Sequence, residues 1–442
     1  MNGAVWRRQA LGCLIWGGLS SAWGVENLDG AWRDSRIYGF GKTMYVADDK
    51  KGGRRDQSTF GFGGKLGLET ADVQGGSLRL AWYQVSDLGL RHDDPRRTDA
   101  YMFDINKRPF GLLGEAQIRY LKGRTQFNLG RQELVTPMIN SYDYRIVPNL
   151  FEAYVLQSRD WPDTLLTVGY VSRMAGLDGL VSFSQFRSMA QQLYPSLALD
   201  RKGAVDTAGG SLFDVSTVSG QQGVWMAGFE YGQDERYRLW DFHGQDTVNM
   251  LYMDTRWQWP LTSEFSGILE TQFYRVGAQG ELHRYLGQRG LNASYDLRGV
   301  RATLAHAPSG IKLAYAIDRF GGNDRMVTVF SSWGGYPEFV PMPYIYAERD
   351  RVSGIAGSRL SRLTALFNLA PLGWAGHTLL LGRSHIDLDE AILANGDIKV
   401  NSLLYRAQLD RQWSLRISFD CRQSRNSRYD NKFAVFALRY DY

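Results

Sequence analysis

Apolar side chains recur at every second position along most of the chain. The segment 431–442 reads NKFAVFALRYDY, in which Ala434, Phe436 and Leu438 share one parity and Arg439 and Asp441 the other. Because side chains alternate between the two faces of a strand, this segment predicts a strand with one apolar face and one more polar face. The same period of two recurs in SLRLAWYQ, GIKLAYAID and QWSLRISFD. The pattern predicts an all-β protein.

The connections between these segments alternate in length. Short connections at 122–123, 260–263 and 410–412 separate pairs of strands, and longer ones lie at about 87–114 and 173–223. Counting along the chain gives about 18 strands, an even number that puts every long loop on the same side. Bacterial outer-membrane barrels have this arrangement, with short periplasmic turns and long extracellular loops. The sequence therefore predicts an 18-stranded antiparallel transmembrane β-barrel.

Composition alone resembles that of a soluble protein. Charged residues make up 22% of the 442 residues and the mean hydropathy is −0.33. No apolar run approaches the roughly 18 residues of a membrane-spanning helix. Barrel strands, however, alternate between polar and apolar residues and so average out as polar. Trp257, Trp259 and Trp413 stand at predicted strand ends, as in the aromatic girdle of a membrane barrel.

The N-terminus has the form of a secretory signal. Arg7 and Arg8 precede an apolar stretch at 10–19, and small residues follow. This pattern predicts a signal peptide over residues 1–24 and a single barrel domain over residues 25–442. Once the signal is removed, Cys421 is the only cysteine, so the mature chain has no intramolecular disulfide. The formal net charge of +5 is small and spread along the chain, which does not favour nucleic acid as a partner.

The sequence carries no recognisable catalytic or metal-binding motif. The six histidines do not show metal-ligand spacing, and we expect neither a cofactor nor an enzymatic activity. His385 and Asp387, two positions apart, are the nearest approach to a catalytic pair, and two polar side chains wetted by a lumen explain them equally. Two alternatives stay open: an outer-membrane barrel enzyme of the lipase or protease type, and a surface adhesin with long binding loops.

Basic residues recur on the predicted polar face, which in a barrel lines the lumen. The predicted basic ladder consists of Arg119, Lys312, Arg362, Arg383, Arg406, Arg416 and Arg439. Charge along a narrow channel concentrates ions of opposite sign, and the arginine fork fits carboxylates. The ladder therefore predicts a path for anionic or carboxylate-bearing solutes. The alternative is an ordinary charged wall, because Glu152, Asp254 and Glu270 are predicted to lie there too.

Three long loops are candidates for narrowing the bore. The segment 129–155 carries Arg131, Asp143 and Arg145, which would set the charge at a constriction if the loop folds inward. The segment 330–346 is apolar and rich in proline, and we expect it to pack inward or over the mouth, or else against a neighbouring subunit. Within 173–223, FSQFRSMAQQLYPSL predicts a short helical lid.

Two motifs resemble those of the OprD-type (Occ-type) outer-membrane porins. One is GRQELVTPMINSYDYRIVPNLFEAY, similar to the third-loop region of that family, and the other is SSWGGYPEF, similar to its S-P-W-G-G-x-P motif. The chain departs from the family at Ser332, where proline is usual, and at the terminal Tyr442.

The resemblance implies an 18-stranded barrel with inward-folded extracellular loops in the outer membrane of a Gram-negative bacterium. It implies passive diffusion of small water-soluble solutes such as amino acids. It also implies the constriction role of Arg131, Asp143 and Arg145 and the role of the ladder. The implied partners are outer-membrane lipids, small carboxylate solutes and the barrel-insertion machinery, which reads the terminal strand. A monomer and a homotrimer are both left open.

Overall fold

The structure is a computed structural model that describes most of the chain. The described residues are 28–99, 102–141, 145–176, 182–193, 214–290, 294–322, 333–340, 357–387, 397–425, 427 and 430–442. The predicted signal peptide lies outside them.

Nineteen strands form one antiparallel sheet. The strands in the first half of the chain are β1 (Arg36–Lys50), β2 (Gln57–Glu69), β3 (Gly76–Ser86), β4 (Phe110–Lys122), β5 (Thr125–Gln132), β6 (Leu150–Ser158), β7 (Thr164–Ala175), β8 (Arg187–Ser188) and β9 (Val224–Gly232). The remaining strands are β10 (Arg236–Gly244), β11 (Val248–Pro260), β12 (Phe265–Ala278), β13 (Tyr295–His306), β14 (Ile311–Phe320), β15 (Arg359–Asn368), β16 (His377–Asp387), β17 (Ile398–Gln408), β18 (Trp413–Ser424) and β19 (Asn431–Asp441).

The sheet closes on itself because β1 pairs with both β2 and β19. At this seam Phe40 lies opposite Lys65 on one side and Asp441 on the other. The two-residue β8 belongs to a loop, and β7 pairs directly with β9, so the barrel wall has 18 strands. Closure leaves no open strand edge to face lipid. The predicted 18-stranded antiparallel barrel is confirmed.

The two ends of the barrel differ in the length of their connections. One end has only short turns, such as 123–124 and 409–412. The other end has the long connections, including 87–109, 176–223 and 321–358. The turn at 245–247 is a short connection at the long-loop end.

The outer face of the wall is apolar around its middle. Leu363, Leu403 and Phe436 are 57%, 37% and 42% exposed and alternate with buried or half-buried inward residues. Exposed apolar side chains in a continuous band are the signature of a surface that meets lipid. Aromatic side chains cluster at the short-turn end, where the ring centroids of Trp413 and Tyr440 lie 4.9 Å apart. The apolar face thus points outward, as the sequence pattern predicted.

The inner face changes character along the barrel axis. Near the short-turn end it carries charged and polar side chains, whereas near the long-loop end it carries buried apolar ones such as Phe242, Val276 and Leu297. Loop residues, including Met138 and Trp333, pack against this apolar part. The long-loop half of the interior is therefore a packed core, and the polar lumen wall belongs mainly to the other half.

Short helices accompany the loops and the N-terminus. They are α1 (Leu28–Arg33), α2 (Ser216–Ser219) and α3 (Gly280–Gly287), and 3-10 turns lie at Pro95–Arg97 and Ala370–Leu372. The lid helix predicted within 173–223 is not formed by the described residues 182–193, which make turns and β8. Among the described residues, no helix has both the length and the apolar character needed to cross a membrane.

Candidate functional site

Four basic side chains follow one another on the inner face of four successive strands, β17, β18, β19 and β1. Arg406 lies directly opposite Arg416, and Arg439 lies directly opposite Lys42. Arg416 and Arg439 are diagonal neighbours, because Arg439 pairs with Ser414. We call Arg406, Arg416, Arg439 and Lys42 the inner basic row. It crosses the seam where the barrel closes, so it is a product of the closed fold.

The members of the inner basic row differ in their surroundings. Arg406 is exposed to the lumen, whereas Lys42 is buried. Arg439 donates to Asp441 at 2.6 Å, and its guanidinium carbon lies 4.0 Å from the centroid of the Phe40 ring. Stacking on an aromatic face and pairing with a carboxylate hold this arginine in one orientation.

A second part of the lumen wall, on β10 to β13, binds its cations in ion pairs. Arg238 donates to Asp254 through Nε at 3.0 Å and through a second, shorter contact, which makes the pair bidentate. On the next strands Arg301 donates to Glu270 at 2.5 Å. Paired charges of opposite sign largely cancel at a distance. This side of the wall is polar but does not present a row of one charge.

A third group on β1 to β4 is also paired. Lys65 contacts Glu115 at 2.6 Å. Glu69 contacts three arginines at 2.5, 3.7 and 3.9 Å, which are Arg36, Arg79 and Arg119. Both carboxylates are buried, so they need these partners to remain charged. The ion pairs between these carboxylates and the more numerous basic side chains hold this part of the wall in a fixed arrangement.

The described residues of the loop 133–149, which are 133–141 and 145–149, fold into the barrel. Lys42 of the inner basic row donates to the backbone oxygen of Arg145 at 2.9 Å. Glu133 at the start of the loop accepts from Lys65 at 3.1 Å. Ile146 is fully buried against the inner wall. The loop is thus attached to the wall at the point where the inner basic row ends.

The described part of the second motif, residues 333–340, joins this inward loop. The indole nitrogen of Trp333 donates to the backbone oxygen of Met189 at 2.8 Å, and the amide of Asn140 donates to the backbone oxygen of Trp333 at 3.0 Å. Gly334 has φ +87°, and a Cβ at Gly335 would lie 2.0 Å from the Pro137 oxygen. Only glycine allows this conformation and this close approach. The packing predicted for 330–346 is inward for its residues 333–340; 330–332 and 341–346 lie outside the described residues.

The motif also places a buried carboxylate against the wall. Glu338 accepts from the hydroxyl of Tyr274 at 2.8 Å through one oxygen, while its other oxygen is buried and has no hydrogen-bond partner among the described residues. Burial raises the pKa of Glu338 to about 7, and the negative charge of nearby Asp318 acts in the same direction. Two residues further on, the amide of Val340 donates to Asp318 at 2.7 Å. The contacts fasten this loop to β12 and β14.

The predicted constriction residues have three different positions. Arg131 lies on β5 opposite Glu152 of β6, on the outward parity, and its guanidinium contacts Glu152 at 3.7 Å and the Phe186 ring. The prediction that Arg131 lines the constriction, and that Glu152 faces the lumen, is therefore corrected. Asp143 lies outside the described residues. Arg145 is on the inward loop but is 3% exposed, donating to Asn149 at 2.6 Å, so its side chain braces the loop.

The predicted basic ladder is largely on the inner face, with one correction. Arg383 pairs with Leu363, whose side chain faces outward, and is itself exposed on that outer face. His385 and Asp387, two and four positions further along the same strand, share this outward parity and are also exposed. The side chains of the other ladder residues face inward, as predicted. These residues are Arg119, Lys312, Arg362, Arg406, Arg416 and Arg439. Their role in solute passage stays a prediction.

Sequence reasoning missed several inward-facing charges. Lys42 was visible only as part of GKT, a fragment that does not complete a phosphate-binding loop. Arg238 lies on the same strand face as Trp240, and Arg301 lies on the same strand face as Ala305; Trp240 and Ala305 are inward and buried. The two arginines therefore continue an inner face that is apolar at those positions. Counting in steps of two from the exposed apolar residues of each strand would have assigned both arginines to the inner face.

Comparison with known proteins gives matches in structure and none in sequence. No family model and no curated protein matches the chain. The solved structure of OccK9 (OpdG) from Pseudomonas aeruginosa matches with a TM-score of 0.72 at 16% identity, covering 93% of this chain and 99% of that one. OpdK with vanillate, also from Pseudomonas aeruginosa, matches with a TM-score of 0.68 at 12% identity and the same coverage. OccD3 (OpdP) matches at 0.68 and 14% identity, covering 92% and 91%.

The fold is that of the OprD-type porins. The OprD-type resemblance expected from the two motifs is confirmed at the level of the fold, over nearly the whole length of these neighbours. The neighbours are outer-membrane porins of Pseudomonas, and the barrel is consistent with the predicted location in the outer membrane of a Gram-negative bacterium.

Proposed function

We propose that this protein is an outer-membrane channel for passive diffusion of small water-soluble solutes, with a preference for anionic or carboxylate-bearing ones. The observation that carries the proposal is the closed barrel with exposed apolar residues outside and a charged wall inside. A charged inner wall of this kind suits an interior that holds water and solutes. By the usual orientation of these barrels, the long loops face the outside of the cell.

The inner basic row supports the preference for anions. Arg406 and Arg416 lie directly opposite each other on the inner face, so two arginines adjoin at this point of the lumen wall. A carboxylate matches the geometry of the guanidinium fork. OpdK, one of the similar structures, was solved with vanillate, an aromatic carboxylate. The bound vanillate is a property of that OpdK structure, and by analogy it supports a test with carboxylates here.

The inward loops support selection by size. The loop 133–149 is attached to β1 and β2 through Arg145 and Glu133, and residues 333–340 are attached to β12 and β14. The two loops also contact each other through Asn140 and Trp333. A solute entering from the long-loop end must pass these segments before it reaches the inner basic row. We propose that they form the constriction and that the row receives the solute beyond it.

Reversal-potential measurements across a salt gradient test the anion preference. We expect wild type to prefer chloride over potassium, and the double variant Arg406→Ser and Arg416→Ser to lose much of this preference, because two cations leave the lumen wall. The matched control is Arg383→Ser, which removes an arginine from the outer face of the neighbouring strand β16. The control should keep the wild-type reversal potential. An unchanged potential in the double variant would refute the role of the row.

A further inference from the structure

Three arginines stand side by side on the outer face near the long-loop end. Arg298 of β13 lies directly opposite Arg319 of β14, and Arg319 lies directly opposite Arg359 of β15. All three side chains are exposed. We call Arg298, Arg319 and Arg359 the outer arginine row. It has no place in the proposed passage of solutes, because it faces away from the lumen.

The row lies just beyond the apolar belt. On the same outward parity, Val300 and Ile317 are the next residues towards the middle of the barrel, 50% and 41% exposed, and Leu363 lies four positions from Arg359. Two residues of a strand span about 7 Å. If the apolar belt meets the hydrocarbon, the guanidinium groups lie at the depth of the lipid headgroups of the outer leaflet. Arginine is suited to this depth, because its apolar stem can lie along the belt.

Among the described residues, the charges around the row are predominantly positive. Two acidic residues on the same face lie next to it: Asp296 contacts Arg298 at 3.6 Å, and Asp387 lies opposite Arg359. The basic neighbours on this face are more numerous, namely Arg275, Arg383, His385 and Lys399. His385 is itself 3.6 Å from Asp397. Directly opposed like charges destabilise a sheet unless a counter-ion lies between them. Asp296 and Asp387 offset only part of this positive charge, so the row favours a further anion from its surroundings.

We propose that the outer arginine row binds the phosphate groups of a lipid headgroup in the outer leaflet. Guanidinium groups bind phosphate in a bidentate manner, and adjacent arginines on neighbouring strands, about 5 Å apart, can share one phosphorylated headgroup. The lipid then compensates the repulsion within the row and ties β13, β14 and β15 together at the rim from which the loop 321–358 arises. The partner is recognised by phosphate attached to a lipid, since the belt below holds the acyl chains.

Equilibrium binding of a fluorescent bisphosphorylated lipid A to the full-length mature protein in neutral detergent micelles tests the proposal. The variant is Arg298→Gln with Arg319→Gln and Arg359→Gln. The charge-matched control is Lys122→Gln with Arg124→Gln and Arg159→Gln, three exposed bases at the short-turn end. We expect the outer-row variant to bind at least about tenfold more weakly, as three exposed pairs of about 0.5 kcal/mol each would give. The control should bind as wild type does.

Further binding measurements identify the chemical group that the outer arginine row recognises. The dephosphorylated lipid should bind the wild type and the variant equally weakly, and inorganic phosphate at an equal phosphate concentration should not displace the bisphosphorylated lipid. Equal binding by the variant and the wild type, equal loss in the control, or displacement by inorganic phosphate would overturn the proposal. If the triple variant does not fold, Arg319→Gln alone, at the centre of the row, should still weaken binding by about twofold, and an unchanged affinity would likewise overturn the proposal.

Discussion

Docking of residues 333–340 against the barrel wall should depend on pH through Glu338. The Glu338 side chain is half-buried; one of its carboxylate oxygens is fully buried and the other accepts from the Tyr274 hydroxyl. Its pKa is raised from 4.5 to about 7. An acid with a raised pKa holds its proton more tightly in the docked state than in the released state, so docking is most stable below pH 4.5. Docking loses stability as the pH rises from there to about 7 and changes little above it.

The size of this effect follows from the shift in pKa. Each pKa unit corresponds to about 1.4 kcal/mol, so the shift to about 7 predicts that docking weakens by about 3 kcal/mol between pH 4 and pH 8. Glu338→Gln keeps the shape and the acceptor oxygen for the Tyr274 hydroxyl but does not titrate. The variant should therefore show docking that depends on pH much less than wild-type docking does, and that is stronger than wild-type docking at pH 8.

Hydrogen exchange followed by mass spectrometry measures this docking directly. The backbone amides of 333–340 report local opening, once the rates are corrected for the intrinsic effect of pH. Glu264→Gln is the control, because Glu264 is an exposed glutamate in a turn at the opposite end of the barrel. It should retain the wild-type pH dependence. Wild-type protection that is flat between pH 4 and pH 8, or a pH dependence that persists undiminished in Glu338→Gln, would refute this reasoning.

Three further changes test other parts of the structure. Trp333→Ala removes a fully buried side chain and its bond to Met189, which should release the inward loops at a cost of about 3 kcal/mol and raise single-channel conductance. Asp254→Asn leaves the charge of Arg238 without its carboxylate, and should lower the free energy of unfolding by about 2 kcal/mol in denaturant titrations. Phe436→Arg puts a charge on the lipid-facing belt and should lower folding stability in lipid vesicles by about 2–4 kcal/mol.

The sequence was sufficient to predict the barrel because its evidence is local and repeated. In strand β18, Ile417 and Phe419 are outward and Ser418 and Asp420 are inward, as alternation alone requires. Strand parity also assigned Arg406 and Arg416 to the inner face correctly. These assignments depend only on the covalent geometry of an extended chain.

The same reasoning failed where the alternation is interrupted. Strand β16 contains Leu379, Leu380 and Leu381 in succession, so apolar residues occupy both parities and the sequence does not choose between them. Pairing with β15 makes the choice, because Leu363 is outward and Arg383 lies opposite it. Arg131 was assigned to a loop, whereas it belongs to the end of strand β5 and keeps the outward parity of that strand.

The sequence did not predict how the loops pack inside the barrel. The contact of Asn140 with Trp333 and the contact of Lys42 with the loop 133–149 join segments that are far apart in the chain. Strand parity gives the face of a side chain but not the loop that folds against it. Strand parity also does not reveal that the inner face is apolar near the long-loop end. The same alternation is found whether an inward residue contacts water or packs against a loop.

Single-channel recording in planar lipid bilayers tests the central claim most directly, because the claim is that water fills the polar part of the barrel. The purified, folded protein should produce discrete and reproducible conductance steps at neutral pH, and the steps should be larger for Trp333→Ala. A folded protein that inserts into the bilayer, as shown by protease protection of its strands, and yet leaves the membrane electrically silent would contradict the account.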